Sequence, residues 1–432
     1  MDTATPTGLD PYPMTPFQLA ALFLTLVAVV GWLNARLLRL PTGVAMLAAG
    51  LIGAAALYGG RRLGVGGAEA AVRTIAAVDF PQTVVGYMLA FLLFAGAMQV
   101  DLKELRRRRL AVWTLATIGV VASTLLVGGG VFLAARALGL DLPLPWALAF
   151  GALISPTDPV AVLSTVRHGA LSDRLKAVLQ GEALFNDGVG IVVFLALAAV
   201  AAGGHASTWA AAVSVVVQSG GGLLFGLLTG YLAVLAMRAI DDYAVEVALS
   251  LALALGTYAA ADALGLSGPI AVVAAGLLIG ELGMATAMSE TTIRYVRGFW
   301  TLVDEILNAV LFLLLGLELL VVPVDLKSAG LCLIAIPLVL AVRLATVFPW
   351  GAYFHFRFAE RGPSLILAWG GLRGALCLAL ALDSAASPYK PLILSVTYAV
   401  VLFSVAVQGL TFGPLVGALN RPPRKAVPDG AG

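Results

Sequence analysis

The sequence contains two cysteines and three histidines in 432 residues. Cys332 and Cys377 both fall in apolar runs, so they read as small buried hydrophobes, and a disulfide framework or a Cys/His metal centre is excluded. No Gly-x-x-x-x-Gly-Lys-Ser/Thr loop occurs, so the chain carries no ATP-driven pump of its own. Charge is also scarce. Only 12% of residues are Asp, Glu, Lys or Arg, about half the share of a soluble domain. The net charge of +2 gives no basic surface for nucleic acid. Met1 to Met14 lack Lys and Arg, so the basic region of a signal peptide is missing and the first apolar run is expected to persist as a helix.

Hydrophobic side chains, at 60% of the sequence, are what the chain has in abundance. Apolar runs of roughly 17 or more residues number about thirteen. They fall near 16–34, 41–58, 81–100, 110–136, 145–165, 178–201, 208–237, 244–263, 267–284, 299–322, 329–351, 363–383 and 391–414. A soluble core cannot bury that many runs of membrane-spanning length, so the expected fold is an all-α polytopic membrane protein.

Basic residues orient it. Arg36, Arg39, Lys103, Arg106 to Arg109, Arg167, Arg174, Lys176, Arg238, Arg294, Arg297, Arg357, Arg361, Arg421, Arg424 and Lys425 follow odd-numbered spans or lie in the tail. Only Arg61, Arg62, Arg73, Arg136, Lys327 and Lys390 lie on the other side. The bias predicts odd-span loops and the C-terminus in the cytoplasm and the N-terminus outside. The expected organisation is an extracytoplasmic segment 1–15, a transmembrane domain 16–416 and a cytoplasmic tail 417–432. The multi-pass chain is assigned to a plasma (inner) membrane.

Three polar clusters interrupt the apolar runs. In the fifth span, Pro156 and Pro159 bracket Thr157 and Asp158, just after Ser155. Each proline removes an amide donor and crowds the preceding turn, so the helix is expected to unwind. Unwinding places free carbonyls beside a hydroxyl and a carboxylate, hard oxygen donors suited to an alkali cation. The plainer reading is a kink in which Asp158 caps the second half-helix. In the sixth span, Glu182 and Asn186 share a helix face, with Asp187 offset by about 100°. Glu182 is in reach of the helix dipole. Asp187 lies deeper, and desolvation there suits it to trade a proton for a cation.

In the twelfth span, Gly370, Gly371 and Gly374 loosen the helix around Arg373. Ionisable groups at mid-bilayer cost roughly 2.5 kcal/mol or more each, so they mark a site by default. A buried guanidinium needs a carboxylate. Glu182 is the favoured partner for Arg373, with Asp158 and Asp187 as alternatives. Arg343 either snorkels or supports the site. Asp304, Glu305 and Asn308, and likewise Glu246, either line an entry funnel or meet interfacial water. His168 is a candidate pH sensor, and His205 and His355 also fall in or near loops. Interrupted helices at corresponding positions, each in the middle of a three-helix group, point to inverted repeats around a midplane site.

With these motifs in place, the chain resembles the monovalent cation/proton antiporters of the sodium/proton exchanger type, in their NhaP-like branch. The resemblance rests on Thr157-Asp158-Pro159, Phe185-Asn186-Asp187-Gly188 and Gly371-Leu372-Arg373-Gly374 in that order. Softer likeness lies in Leu93-Phe94-Ala95-Gly96 and in Leu311 to Gly316. It implies thirteen helices in inverted repeats, helices five and twelve crossing at their breaks, and a homodimer. A core of about 110–201 and 329–414 would stand against a scaffold of about 16–100 and 208–322. It further implies cation ligation by Thr157, Asp158 and Asp187, support from Asn186, a Glu182–Arg373 pair, and secondary supporting places for Ser155, Gly371 and Gly374. Many relatives carry Ser where this chain has Ala183, which removes one hydroxyl from the expected coordination shell.

The function this implies is that of a transporter and not an enzyme. It would exchange a monovalent cation, Na+ first and Li+ or K+ next, for H+ by alternating access, one for one and without a cofactor. Its partners would be those ions, membrane lipid and a second copy of the chain. An intramembrane aspartyl protease would leave Arg373 and the paired breaks unexplained. A passive channel would need a filter that the sequence lacks.

Overall fold

In the computed structural model, residues 15–65, 67–76, 80–158, 171–203, 208–320, 328–384 and 386–419 are described. Pro159, Arg167, His168, His205 and Lys327, the first fourteen residues and the tail beyond Leu419 lie outside them. The described chain is almost entirely helical, and its one β-type feature is an isolated antiparallel bridge between Asp158 and Leu372.

Ten helices are long and apolar enough to cross a membrane. They are α1 (Phe17–Leu38), α2 (Thr42–Arg62), α4 (Lys103–Ala137), α6 (Asp173–Ala201), α7 (Val213–Arg238), α8 (Tyr243–Ala263), α9 (Gly268–Thr286), α10 (Glu290–Leu317), α11 (Ala329–Phe358) and α14 (Lys390–Leu419). The remaining apolar segments are shorter. They comprise α3 (Leu89–Gln99), which continues a π-helical turn Gln82–Met88, α5 (Leu144–Leu153), and the pair α12 (Pro363–Trp369) and α13 (Ala375–Asp383).

Helix starts follow their side chains. Asp101, Ser172, Asp242, Ser267 and Ser289 each accept a backbone N–H from the first turn of the helix they precede. These bonds satisfy amides that have no partner within the helix. Both breaks also have local causes. α5 stops at Leu153, and Ser155 Oγ donates to Gly151 O at 2.7 Å, taking up one of the last carbonyls. Pro156 then lacks the amide needed to continue. Between α12 and α13, Gly374 is extended at φ −100° and ψ −174°.

The helices pack in groups that also touch one another. α4, α5 and α6 pack on one another, and α11 packs on α4, α12 and α14. α2 packs on α10, while α9 packs on α7, α8 and α3. The stretch after α5 meets the break between α12 and α13 at the bridge, where Asp158 N donates to Leu372 O at 2.7 Å. That contact satisfies two backbone groups which lipid could not.

Candidate functional site

Around the crossing, the unwound stretch 155–157 faces α6. Asn186 Nδ2 donates to Thr157 Oγ1 at 2.9 Å, and Thr157 N approaches Asn186 Oδ1 at 3.4 Å. Asn186 thereby orients the threonine hydroxyl. Its own side chain is occupied in doing so.

Asp158 and Asp187 border the same cavity, of about 140 Å³, together with Thr157, Ala183, Gln99 and Asp304. Asp158 and Asp187 are partly accessible, unlike Thr157 and Asn186, which are buried. A small cavity with carboxylates and a hydroxyl can hold an alkali cation or a proton. Gly374 permits the close packing: a Cβ added there would stand 3.1 Å from the Asp158 carboxylate. Ala183 faces this space with a methyl group where many relatives are expected to place a hydroxyl.

The expected Glu182–Arg373 pair does not form. Glu182 instead takes a bidentate pair from Arg343 of α11, through Nη1 to Oε1 and Nη2 to Oε2, the latter at 2.8 Å. Arg343 Nη2 also donates to Leu367 O at 3.1 Å, tying α12 to the pair. Both side chains are buried. A Cβ on Gly371 would strike the Arg343 guanidinium, so glycine there keeps the ion pair possible.

Arg373 turns the other way, donating from Nη1 to Ser155 O and to Pro156 O, the second at 3.0 Å. The unwinding of the fifth span had freed these carbonyls, and the guanidinium meets them before it can reach a carboxylate. Among the described residues no carboxylate lies within salt-bridge distance of Arg373.

Other candidates divide. Asp304 borders the cavity and accepts from Asn308 Nδ2 at 2.9 Å, whereas Glu305 is exposed. Glu246 is fully buried between α8 and α10, with Thr292 Oγ1 at 3.4 Å. His355 Nδ1 lies 2.8 Å from Glu360 O, remote from the cavity.

Two residues absent from the sequence reading also matter. Ser404 Oγ accepts from Arg373 N at 2.8 Å and donates to Gln408 Oε1 at 2.7 Å, and Gln408 Nε2 reaches Trp369 O at 3.2 Å. Their signal was two polar residues four apart, on one face of an apolar run.

The sodium/hydrogen exchanger transmembrane family model matches residues 23–418. The chain belongs to that family. The Na+/H+ antiporter NhaP of Pseudomonas aeruginosa is 42% identical to the exchanger over 406 residues, covering 92% of it and 96% of the relative. The Na+/H+ antiporter NhaH of Halobacillus dabanensis is 34% identical over 394 residues, covering 89% and 94%. Among solved structures, the sodium proton antiporter MjNhaP1 of Methanocaldococcus jannaschii superposes with a TM-score of 0.68, covering 93% of the exchanger and 98% of that chain. At 22% identity this likeness concerns the fold. The exchanger is thus a membrane antiporter, not an enzyme.

Proposed function

We propose that the exchanger moves sodium, and less readily lithium or potassium, against protons at one site reached alternately from the two sides of the membrane. Asp158, Asp187 and Thr157 would ligate the cation, with Asn186 holding Thr157 in place. The observation that carries this reading is the joint position of Asp158 and Asp187 on one cavity, at the crossing of two broken helices. The names of the bacterial relatives favour sodium.

Charge supports one-for-one exchange. Glu182 and Arg343 neutralise each other, which leaves Asp158 and Asp187, with Asp304 at the same cavity, to take up the exchanged ion. Either one proton or one monovalent cation adds a single positive charge to the Asp158–Asp187 pair, so the two loaded states have the same net charge. Two such loaded states carry equal charge across. Asp158 and Asp187 would titrate as a coupled pair sharing one proton.

The helices near 110–201 and 329–414 form the moving core in this reading, those near 16–100 and 208–322 a dimeric scaffold. Thirteen crossings then place the N-terminus outside and the C-terminus in the cytoplasm of a cell with one inner membrane. The first test is cation-dependent proton flux in everted vesicles, with a pH-sensitive dye and each chloride salt in turn. A sodium response larger than that to lithium or potassium is expected. Dye signals that no monovalent cation changes would overturn the proposal.

A further inference from the structure

At the ends of α4, α6 and α11, three guanidinium groups surround one phenyl ring, an arrangement that ion exchange does not use. Arg108 lies 4.5 Å from the Phe358 ring centroid, Arg174 lies 4.6 Å away and Arg357 5.4 Å. Each contact is favourable singly, because the ring face is electronegative. Together they hold like charges from three helices near one another.

Carboxylates offset this only in part. Glu360 is 3.3 Å from Arg174, while Glu104 pairs with Arg107 at 2.7 Å and stands 3.9 Å from Arg108. Exposed Arg357 has no carboxylate within salt-bridge distance among the described residues. The Nε of Arg108 is buried without an acceptor. Planar guanidinium forks of this kind match the oxygens of a phosphate.

Two of the same helices present exposed apolar surface close by. Phe356 is 86% exposed and Leu110 66%, and Tyr353 is also exposed. Trp350 Nε1 donates to Thr114 Oγ1 at 2.7 Å and fixes α11 against α4. A basic cluster at helix ends above an aromatic face matches both halves of a phospholipid. Free phosphate would engage the guanidinium groups alone.

We propose that this corner of α4, α6 and α11 binds an anionic glycerophospholipid of the bilayer, its phosphodiester against Arg108, Arg174 and Arg357 and its acyl chains along the exposed aromatic face. The inference stands apart from the identity of the transported ions.

The test uses purified full-length protein in a neutral detergent and reads its thermal unfolding midpoint. Phosphatidylglycerol, phosphatidylcholine with the same chains, and inorganic phosphate are titrated separately. Phosphatidylglycerol alone is expected to raise the midpoint, with an apparent affinity at least tenfold weaker in Arg174→Gln/Arg357→Gln. Arg61→Gln/Arg62→Gln, at the end of α2, should respond as the parent does. Arg357→Gln alone serves if the double variant is poorly folded, since its side chain is exposed. An equal response to phosphatidylcholine, an equal response to inorganic phosphate, or a phosphatidylglycerol response unchanged in the corner variants would each overturn the proposal.

Discussion

At the level of single residues, Asp187 is the side chain on which exchange should depend most. Asp187→Asn keeps the shape and removes the exchangeable charge, so well-folded variant protein in everted vesicles is expected to leave the pH gradient intact when sodium is added. Asp158→Asn should be nearly as damaging. Thr157→Ala should chiefly raise the apparent KM for the cation. The buried arginines make a sharper distinction. Removing one partner of a buried ion pair strands a charge and costs about 3–5 kcal/mol. Thermal unfolding of Glu182→Gln, Arg343→Met and their double variant should show strong coupling, with much of the single-variant loss recovered in the double. Glu182→Gln and Arg373→Gln should instead be nearly additive. Coupling in the second cycle and additivity in the first would restore the pairing that the sequence favoured. Spacing along the chain could not decide this. Glu182 reaches both helices, and the choice turns on carbonyls of Ser155 and Pro156 that only the folded crossing brings to Arg373.

For the helical elements, stability of the twelfth-span break should depend on the α14 turn that holds it. Ser404→Ala leaves the buried Arg373 N–H without its acceptor, a loss of about 1–3 kcal/mol. A lowered unfolding midpoint at unchanged cation preference is expected, and an unchanged midpoint would show that the break stands without this bond. Gly371→Ala should cost a comparable amount by pushing on the Glu182–Arg343 pair. Much of this level was legible beforehand. Apolar length located ten helices long enough to cross a membrane, three fewer than the thirteen runs expected, and coincident Pro, Gly and charge fell where α5 stops and where α12 and α13 are separated. What was not legible came from contacts between distant segments. Ser404 and Gln408 looked like isolated polar residues of one span, and their meaning arises from Arg373 N and Trp369 O on another. Asp304 and Glu305 are neighbours in sequence, yet only helix rotation tells which faces the cavity.

For the whole molecule, the account turns on charge balance across the cycle. In liposomes with valinomycin and potassium gradients setting the voltage, turnover at fixed sodium and proton gradients should not change with membrane potential. Acceleration or reversal with potential would exclude one-for-one exchange. The central claim, that one cation displaces one proton from the Asp158–Asp187 cavity, is tested most directly by proton release from purified protein. Sodium chloride is added to weakly buffered protein near neutral pH, and the released protons are counted with an indicator dye. The wild type should release about one proton per bound cation, as a coupled carboxylate pair sharing one proton requires, and Asp187→Asn should release none. Sodium binding without proton release in the wild type, or equal release from Asp187→Asn, would contradict it.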